Sequence, residues 1–213
     1  MVDVVVVRPA YDETTNLLHD WGGRLCATVQ ASGYHNVRDM PYLWATRAQV
    51  QKELKGSPEC LVFYGHGERD HLIAQNNSVN SPIIDTSFAS LSLLKNRIVY
   101  AVACHSAAVL GLSAVAAGTR TYIGYDDSFN VVTGGPEYWF EQATNVLLEY
   151  LLSSTTPTCA DALAEAQAVY ERAIFYYQNG PGHTHPLAFL AAAQLLWARD
   201  HLVLHGDPDA ILR

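Results

Sequence analysis

Apolar positions along this chain follow two different periods. Largely apolar runs at 2–7, 60–64, 97–103 and 121–124 predict strands covered on both faces. Between them the apolar residues recur at helical spacing. Leu17, Leu18, Trp21, Leu25 and Val29 form one stripe of a helix that Asp12 or Thr14 would cap and Gly33 would end. Gly22-Gly23 inside that helix lowers its propensity and predicts close packing or a local irregularity. A short second strand is expected at 37–43. Thr46 would then cap a short helix through Ala48, Val50 and Leu54 that stops at Gly56-Ser57-Pro58.

Residues 68–96 read as irregular, rich in Asn, Ser and Asp, with short strands at 71–74 and 82–84. A small, Ala-rich helix is expected at 107–117, stopped by Gly118. Beyond residue 135 the pattern changes to three helices, at 136–153, 159–178 and 186–199, then a last strand and turn at 201–208. No repeat or linker interrupts it. Strand–helix alternation in the first half predicts an α/β domain over 1–213, with a mostly parallel sheet between helical layers.

Two of the strand runs end in reactive side chains. Cys60-Leu-Val-Phe-Tyr-Gly65 delivers His66-Gly67, and Arg97-Ile-Val-Tyr-Ala-Val-Ala103 delivers Cys104, 38 positions later. That separation suits one crossover between neighbouring parallel strands. Both side chains would then emerge together beyond the strands' carboxyl ends, where open α/β sheets place their sites. A base beside a thiol is a nucleophilic dyad. Cys104 falls where an apolar run gives way to polar His105-Ser106, and a helix starting just beyond it would lower the thiol pKa. Gly65 and Gly67 permit a tight turn and leave one face of the His66 ring open. The Gly67 and Cys104 amides are then candidates for an oxyanion hole.

Composition narrows the partners. The formal net charge is −8, and the 13 Lys and Arg residues form no cluster, so nucleic acid and anionic membranes are poor first choices. No segment has the length of a membrane helix. The acid at position 3 and the lack of a basic start argue against a signal sequence. Cys26, Cys60, Cys104 and Cys159 show no Cys-x-x-Cys pair, which suits reduced thiols in a cytoplasm.

Other constellations are weaker. His66, Asp70 and His71, or His183 and His185, could be read as metal ligands, but neither set has a convincing third and fourth member. Ser113 lacks the second glycine of a nucleophile elbow. His105 is a neighbour of Cys104 whose side chain should diverge from it. Asp126 and Asp127 follow the strand after Cys104 and could line a pocket for a basic substrate side chain. Two solvated acids in a turn is the plainer reading. Glu68, Arg69 and Asp70 could shape binding equally well.

Tyr64-Gly-His66-Gly67 followed by Val102-Ala-Cys104-His-Ser106 resembles the caspase-like (clan CD) cysteine peptidases, and within them the CHAT-domain and gingipain-type enzymes. Three further segments are similar to these families: Ala117-Gly-Thr-Arg-Thr-Tyr-Ile-Gly124 with Asp126-Asp127 after it, the helix of Thr158-Cys-Ala-Asp-Ala-Leu-Ala-Glu-Ala-Gln167, and Leu204-His-Gly-Asp-Pro208. The resemblance implies a three-layer α/β/α sandwich, His66 as base, Cys104 as nucleophile, an oxyanion hole from Gly67 and Cys104, and neither metal nor cofactor. It departs from metacaspases in having Val102 where an Arg-selecting acid would stand. The caspase Gln-Ala-Cys signature is also absent, so Asp specificity is not implied.

The expected function is therefore a cysteine endopeptidase acting on protein substrates. The resemblance suggests a setting in bacterial stress or antiviral defence. The chain carries no sensor domain, so control is expected in trans, from a partner protein or a protease that cuts within 68–96. Two rivals stand beside this. One is a catalytically idle caspase-fold scaffold or adaptor. The other is an α/β-hydrolase-like enzyme using Cys104, Asp126 or Asp127, and a late base such as His183 or His205.

Overall fold

The structure, a computed structural model, describes residues 2–33, 35–75 and 82–212. Its centre is a six-stranded sheet built from β1 (Asp3–Arg8), β2 (Asn36–Pro41), β3 (Cys60–Tyr64), β7 (Ile98–Val102), β8 (Thr121–Tyr125) and β9 (Leu202–Gly206). The strand order is β2-β1-β3-β7-β8-β9. The first five strands run parallel, and β9 closes one edge antiparallel to β8. A second, three-stranded antiparallel sheet joins β4 (Gly67–Glu68), β5 (His71–Ile73) and β6 (Pro82–Asp85).

The apolar runs have a simple cause. Side chains alternate across each strand, and both faces are covered. On one face Val4, Val6, Cys60, Val62, Tyr64, Ile98, Tyr100, Val102, Ile123 and Tyr125 meet α1 (Glu13–Ala31), α5 (Glu137–Leu151), α6 (Cys159–Gln178) and α7 (Ala188–His201). On the other, Val5, Val7, Leu61, Phe63, Val99, Ala101 and Tyr122 meet α2 (Arg47–Leu54), α3 (Phe88–Ser92), α4 (Leu110–Ala116) and the small sheet. The tyrosine hydroxyls buried on the first face are paired. Tyr64 donates to Asn145 Oδ1 at 2.7 Å, Tyr100 donates to the Thr144 carbonyl at 3.0 Å, and the Tyr125 and Tyr170 hydroxyls meet at 2.8 Å. Those pairings let a polar atom sit inside an apolar layer without loss.

Gly22 and Gly23 leave α1 unbroken and serve close packing. A Cβ on Gly22 would stand 3.0 Å from the Tyr64 ring, and one on Gly23 3.2 Å from the Arg8 guanidinium. Arg8 itself forms a two-pronged pair with Asp39, at 2.7 and 2.6 Å. Arg97 is buried where β7 begins, without a carboxylate. Its guanidinium donates to the carbonyls of Pro58, Leu54 and Leu93, so one cation holds the C-terminal ends of α2 and α3 against the sheet.

The short strands expected at 71–74 and 82–84 are present as β5 and β6, while β4 and α3 add order to a segment whose composition reads as irregular. One expectation needs correction. The predicted helix at 107–117 begins only at Leu110. Its intended first turn is drawn elsewhere, because His105 donates its amide to the Asp127 carbonyl, Ala107 to Tyr125, and Val109 and Leu110 both to Arg69. Those amides are committed to neighbouring elements, and His105 sits at φ +53°, outside right-handed helix. Among the described residues no helix is long and apolar enough to cross a membrane.

Candidate active site

Strands β3 and β7 pair in parallel with Tyr64 opposite Val102, and the Gly65 amide extends the ladder to the Val102 carbonyl at 3.1 Å. Two residues on, His66 and Cys104 leave the same edge from adjacent strands. The neighbouring turns contribute Asp12 after β1 and the 126–129 segment after β8.

Asp12 caps α1. Its carboxylate accepts the Thr15 amide at 2.8 Å, and Thr15 Oγ1 accepts the Asp12 amide at 3.0 Å in return. Its other oxygen meets His66 Nε2 at 2.8 Å. Burial alone would raise this carboxyl, but the Thr15 hydrogen bonds and His66 outweigh it and hold it below its usual range. With Nε2 donating to Asp12, the other ring nitrogen, Nδ1, is the one left to take a proton. The Tyr11 ring lies 5.9 Å from the imidazole, centroid to centroid.

Both flanking glycines are required by space, since neither has a positive φ. A Cβ on Gly65 would come within 2.8 Å of Phe63 and 2.9 Å of Pro9. One on Gly67 would meet the Cys104 carbonyl at 2.7 Å and Ala103 Cβ at 2.9 Å. Ile73 donates its amide to the His66 carbonyl at 3.0 Å, while Gly67 stands opposite Leu72. By antiparallel alternation the Gly67 amide points away from β5, free for another acceptor.

Cys104 is held by backbone. The Phe129 amide donates to Sγ at 3.3 Å, and Sγ–H faces the Phe129 carbonyl at 3.7 Å. Burial pushes the thiol up; the Phe129 amide and its own amide oppose this, while Glu68 and Asp127 add to it, and the thiol ends above its ordinary value. The expected helix N-terminus is absent here, and with it the expected lowering. The thiol rests protonated. His105 carries left-handed strain immediately after Cys104, with its Nε2 3.3 Å from Ser128 Oγ and Nδ1 3.9 Å from Asp127.

The two acids after β8 differ. Asp126 is tied to the end of α7 twice, by its carboxylate at 2.7 Å from His201 Nδ1 and by its amide to the His201 carbonyl. Asp127 lies toward His105 and the thiol and takes the Ser128 amide at 2.6 Å. Ser128 chiefly, with His105 and His201, holds its carboxyl below the usual range.

Other sequence candidates have local partners of their own. Among the described residues no three His, Cys, Asp or Glu assemble to hold a metal ion. His71 pairs with Asp70 at 2.7 Å, His183 with the Gly180 carbonyl at 2.9 Å, and His185 accepts the Leu187 amide. His205 stands opposite Tyr122 near the start of β8 and binds the Ala107 carbonyl at 2.9 Å. Both late histidines thus spend a ring nitrogen on a backbone carbonyl rather than on an acid or on Cys104. Cys26, Cys60 and Cys159 are buried, with thiols pushed by desolvation to about 12, higher still and about 11 respectively. Asp12 was legible as a cap, yet its contact with His66 spans 54 positions and no local pattern announces it.

Solved structures share this backbone. The crystal structure of the Arg-specific cysteine proteinase gingipain R (RgpB) aligns over 99% of this chain and 47% of its own, with TM-score 0.60 and 12% identity. A complex of Porphyromonas gingivalis RgpB pro- and mature domains aligns over 100% and 48%, with TM-score 0.55 and 13% identity. A structure described as a protease gives 99% and 48%, TM-score 0.62 and 17% identity. The chain thus spans about half the length of the structures it matches. No protein-family model and no curated protein sequence matches it. The fold is therefore the caspase-like α/β sandwich seen in gingipain RgpB.

Proposed function

We propose that this protein is a caspase-like cysteine endopeptidase with a His66–Cys104 dyad, acting on protein substrates. The observation that supports the reading is the register: paired strands bring His66, its Nε2 against Asp12, and half-buried Cys104 to one sheet edge, two residues past Tyr64 and Val102. Cys104 Sγ attacks the scissile carbonyl carbon, and its proton passes to His66 Nδ1. The oxyanion that forms lies on the Gly67 and Cys104 amides. The tetrahedral adduct collapses as the C–N bond breaks and His66 returns the proton to the leaving amine. Water, losing a proton to His66, then attacks the thioester and restores the thiol. Asp12 orients the ring and steadies its charged form. It touches no substrate, so it is a positioning residue.

A thiol that rests protonated suits this sequence, since nucleophile formation is coupled to attack rather than preceding it. Asp127, whose charge acts on the thiol while Asp126 is paired with His201, is the better candidate to meet a basic side chain before the cut. Control is exerted in trans by a partner or a processing protease; part of the candidate cutting segment, 76–81, lies outside the described residues. A purified chain that is fully active alone and unprocessed would contradict that control. The central test is Cys104→Ala: cleavage of a denatured protein substrate and labelling by a peptidyl acyloxymethyl ketone should both vanish. Cleavage that survives the substitution overturns the proposal, and a protein never cleaving or labelling with any activator favours the scaffold reading.

A further inference from the structure

Directly after β2 the chain presents Tyr42, Leu43 and Trp44 to solvent at 51%, 79% and 58% exposure. Three consecutive large apolar side chains left outside are costly to keep exposed. Their backbone is firmly built. Tyr42 holds a left-handed φ of +43°, and its ring stacks on buried His19 at 4.1 Å between centroids. The Ala45 amide closes the turn on the Tyr42 carbonyl at 2.9 Å, and fully buried Ala45 accepts the Gln75 amide at 3.0 Å. The Gln75 side chain in turn binds both the amide and carbonyl of Ala10, at 2.6 and 2.7 Å. This rim thus links the ends of β2 and β1 to Gln75, two residues past the small sheet's β5.

The position of this turn gives it an occupant. The sheet order places the ends of β2, β1, β3 and β7 side by side, so the carboxyl edge reads Tyr42–Trp44, Asp12, His66, Cys104. In a cysteine peptidase the acyl half of the substrate bonds to the thiol, and the imidazole protonates the departing amine. The amine half must therefore extend from Cys104 past His66, toward β1 and β2. Two strand spacings separate β3 from β2, on the order of 10 Å, and an extended peptide covers that in about three residues.

Resting on the peptidase reading, we infer that Tyr42, Leu43 and Trp44 form an apolar subsite for the leaving half of the substrate, about three residues beyond the scissile bond. The occupant is a large aliphatic or aromatic side chain of the substrate polypeptide. The test digests a proteome-derived peptide library with the wild type and with Leu43→Ser/Trp44→Ser, reading cleavage sites by mass spectrometry. An acyloxymethyl ketone carrying only acyl-side residues is scored in parallel. Both substituted residues are exposed, so the fold should persist, and Trp44→Phe should keep the preference. The expected result is a several-fold enrichment of Leu, Phe or Trp near the third leaving-side position, flattened in the double variant while probe labelling is unchanged. Labelling and cleavage with no such enrichment, or an enrichment the variant keeps, overturns the subsite alone. Absence of both labelling and cleavage in the wild type overturns the peptidase reading and the subsite with it.

Discussion

The turn after β3 and the turn after β7 deliver the two reactive groups by opposite means. His66 is held by a side chain, Asp12, whose carboxylate also caps α1. Cys104 is held by backbone: the Phe129 amide on its sulfur, a left-handed His105 behind it, and the amides of His105, Ala107, Val109 and Leu110 fastened to neighbouring elements. The setting of His66 is thus adjustable by a single substitution, whereas that of Cys104 is written into the main chain. Electrostatics differ in the same way. The Asp12 carboxyl is depressed by specific partners, and the Cys104 thiol is raised first by burial.

The largest way to break this comparison is at the point where the two turns touch. Gly67→Ala puts a methyl group against the Cys104 carbonyl at 2.7 Å and Ala103 at 2.9 Å, so either the His66 turn or the nucleophile's backbone must shift. The proposed oxyanion donor moves with it, and kcat should fall by about 10²–10³-fold with the fold retained by circular dichroism. An unchanged kcat would show that this amide has no part in the reaction.

Asp12 sharpens the comparison because its two duties separate. Asp12→Asn keeps a good helix cap but removes the charge opposite His66, so kcat should drop about ten- to a hundredfold with little change in Tm. Asp12→Ala should lose a similar factor and, in addition, about 1 kcal/mol of stability from the cap. Equal Tm losses in both variants would place the effect in folding rather than in the imidazole. Because its folded pKa is depressed, the Asp12 carboxylate's contribution is complete above its ordinary value. It is lost as pH falls through the lowered one, a shallow decline visible in acid denaturation and removed in Asp12→Asn.

The thiol gives the smallest effect, with the opposite sign. A raised Cys104 pKa means that iodoacetamide alkylation of this residue climbs with pH through a midpoint above the 9.0 of an ordinary thiol. Stability it contributes is complete below that ordinary value and fades as pH rises through the raised one. Alkylation half-complete near neutrality would contradict the protonated resting state.

What the sequence disclosed, and what it hid, follows the same division. Strand 60–64 was legible to the residue because five consecutive buried positions leave a continuous apolar signature. So was the helix Cys159–Gln178, whose Thr158–Asp161 capping box is local. The helix after Cys104 was misjudged because alanine-rich composition signals helix, while the long-range claims of Asp127, Tyr125 and Arg69 on its first amides leave no trace in composition. The Asp12–His66 contact was hidden for the same reason: it joins two turns that only the sheet order brings together.

The central claim is that His66 and Cys104 work as one unit at this edge. The direct measurement is the labelling rate of the native protein by a peptidyl acyloxymethyl ketone, mapped by mass spectrometry, in the wild type and in His66→Ala. The account predicts a single adduct on Cys104, none on Cys26, Cys60 or Cys159, and a rate lower by about 10²-fold or more without the imidazole. No adduct on Cys104, or equal rates in the two proteins, would contradict it.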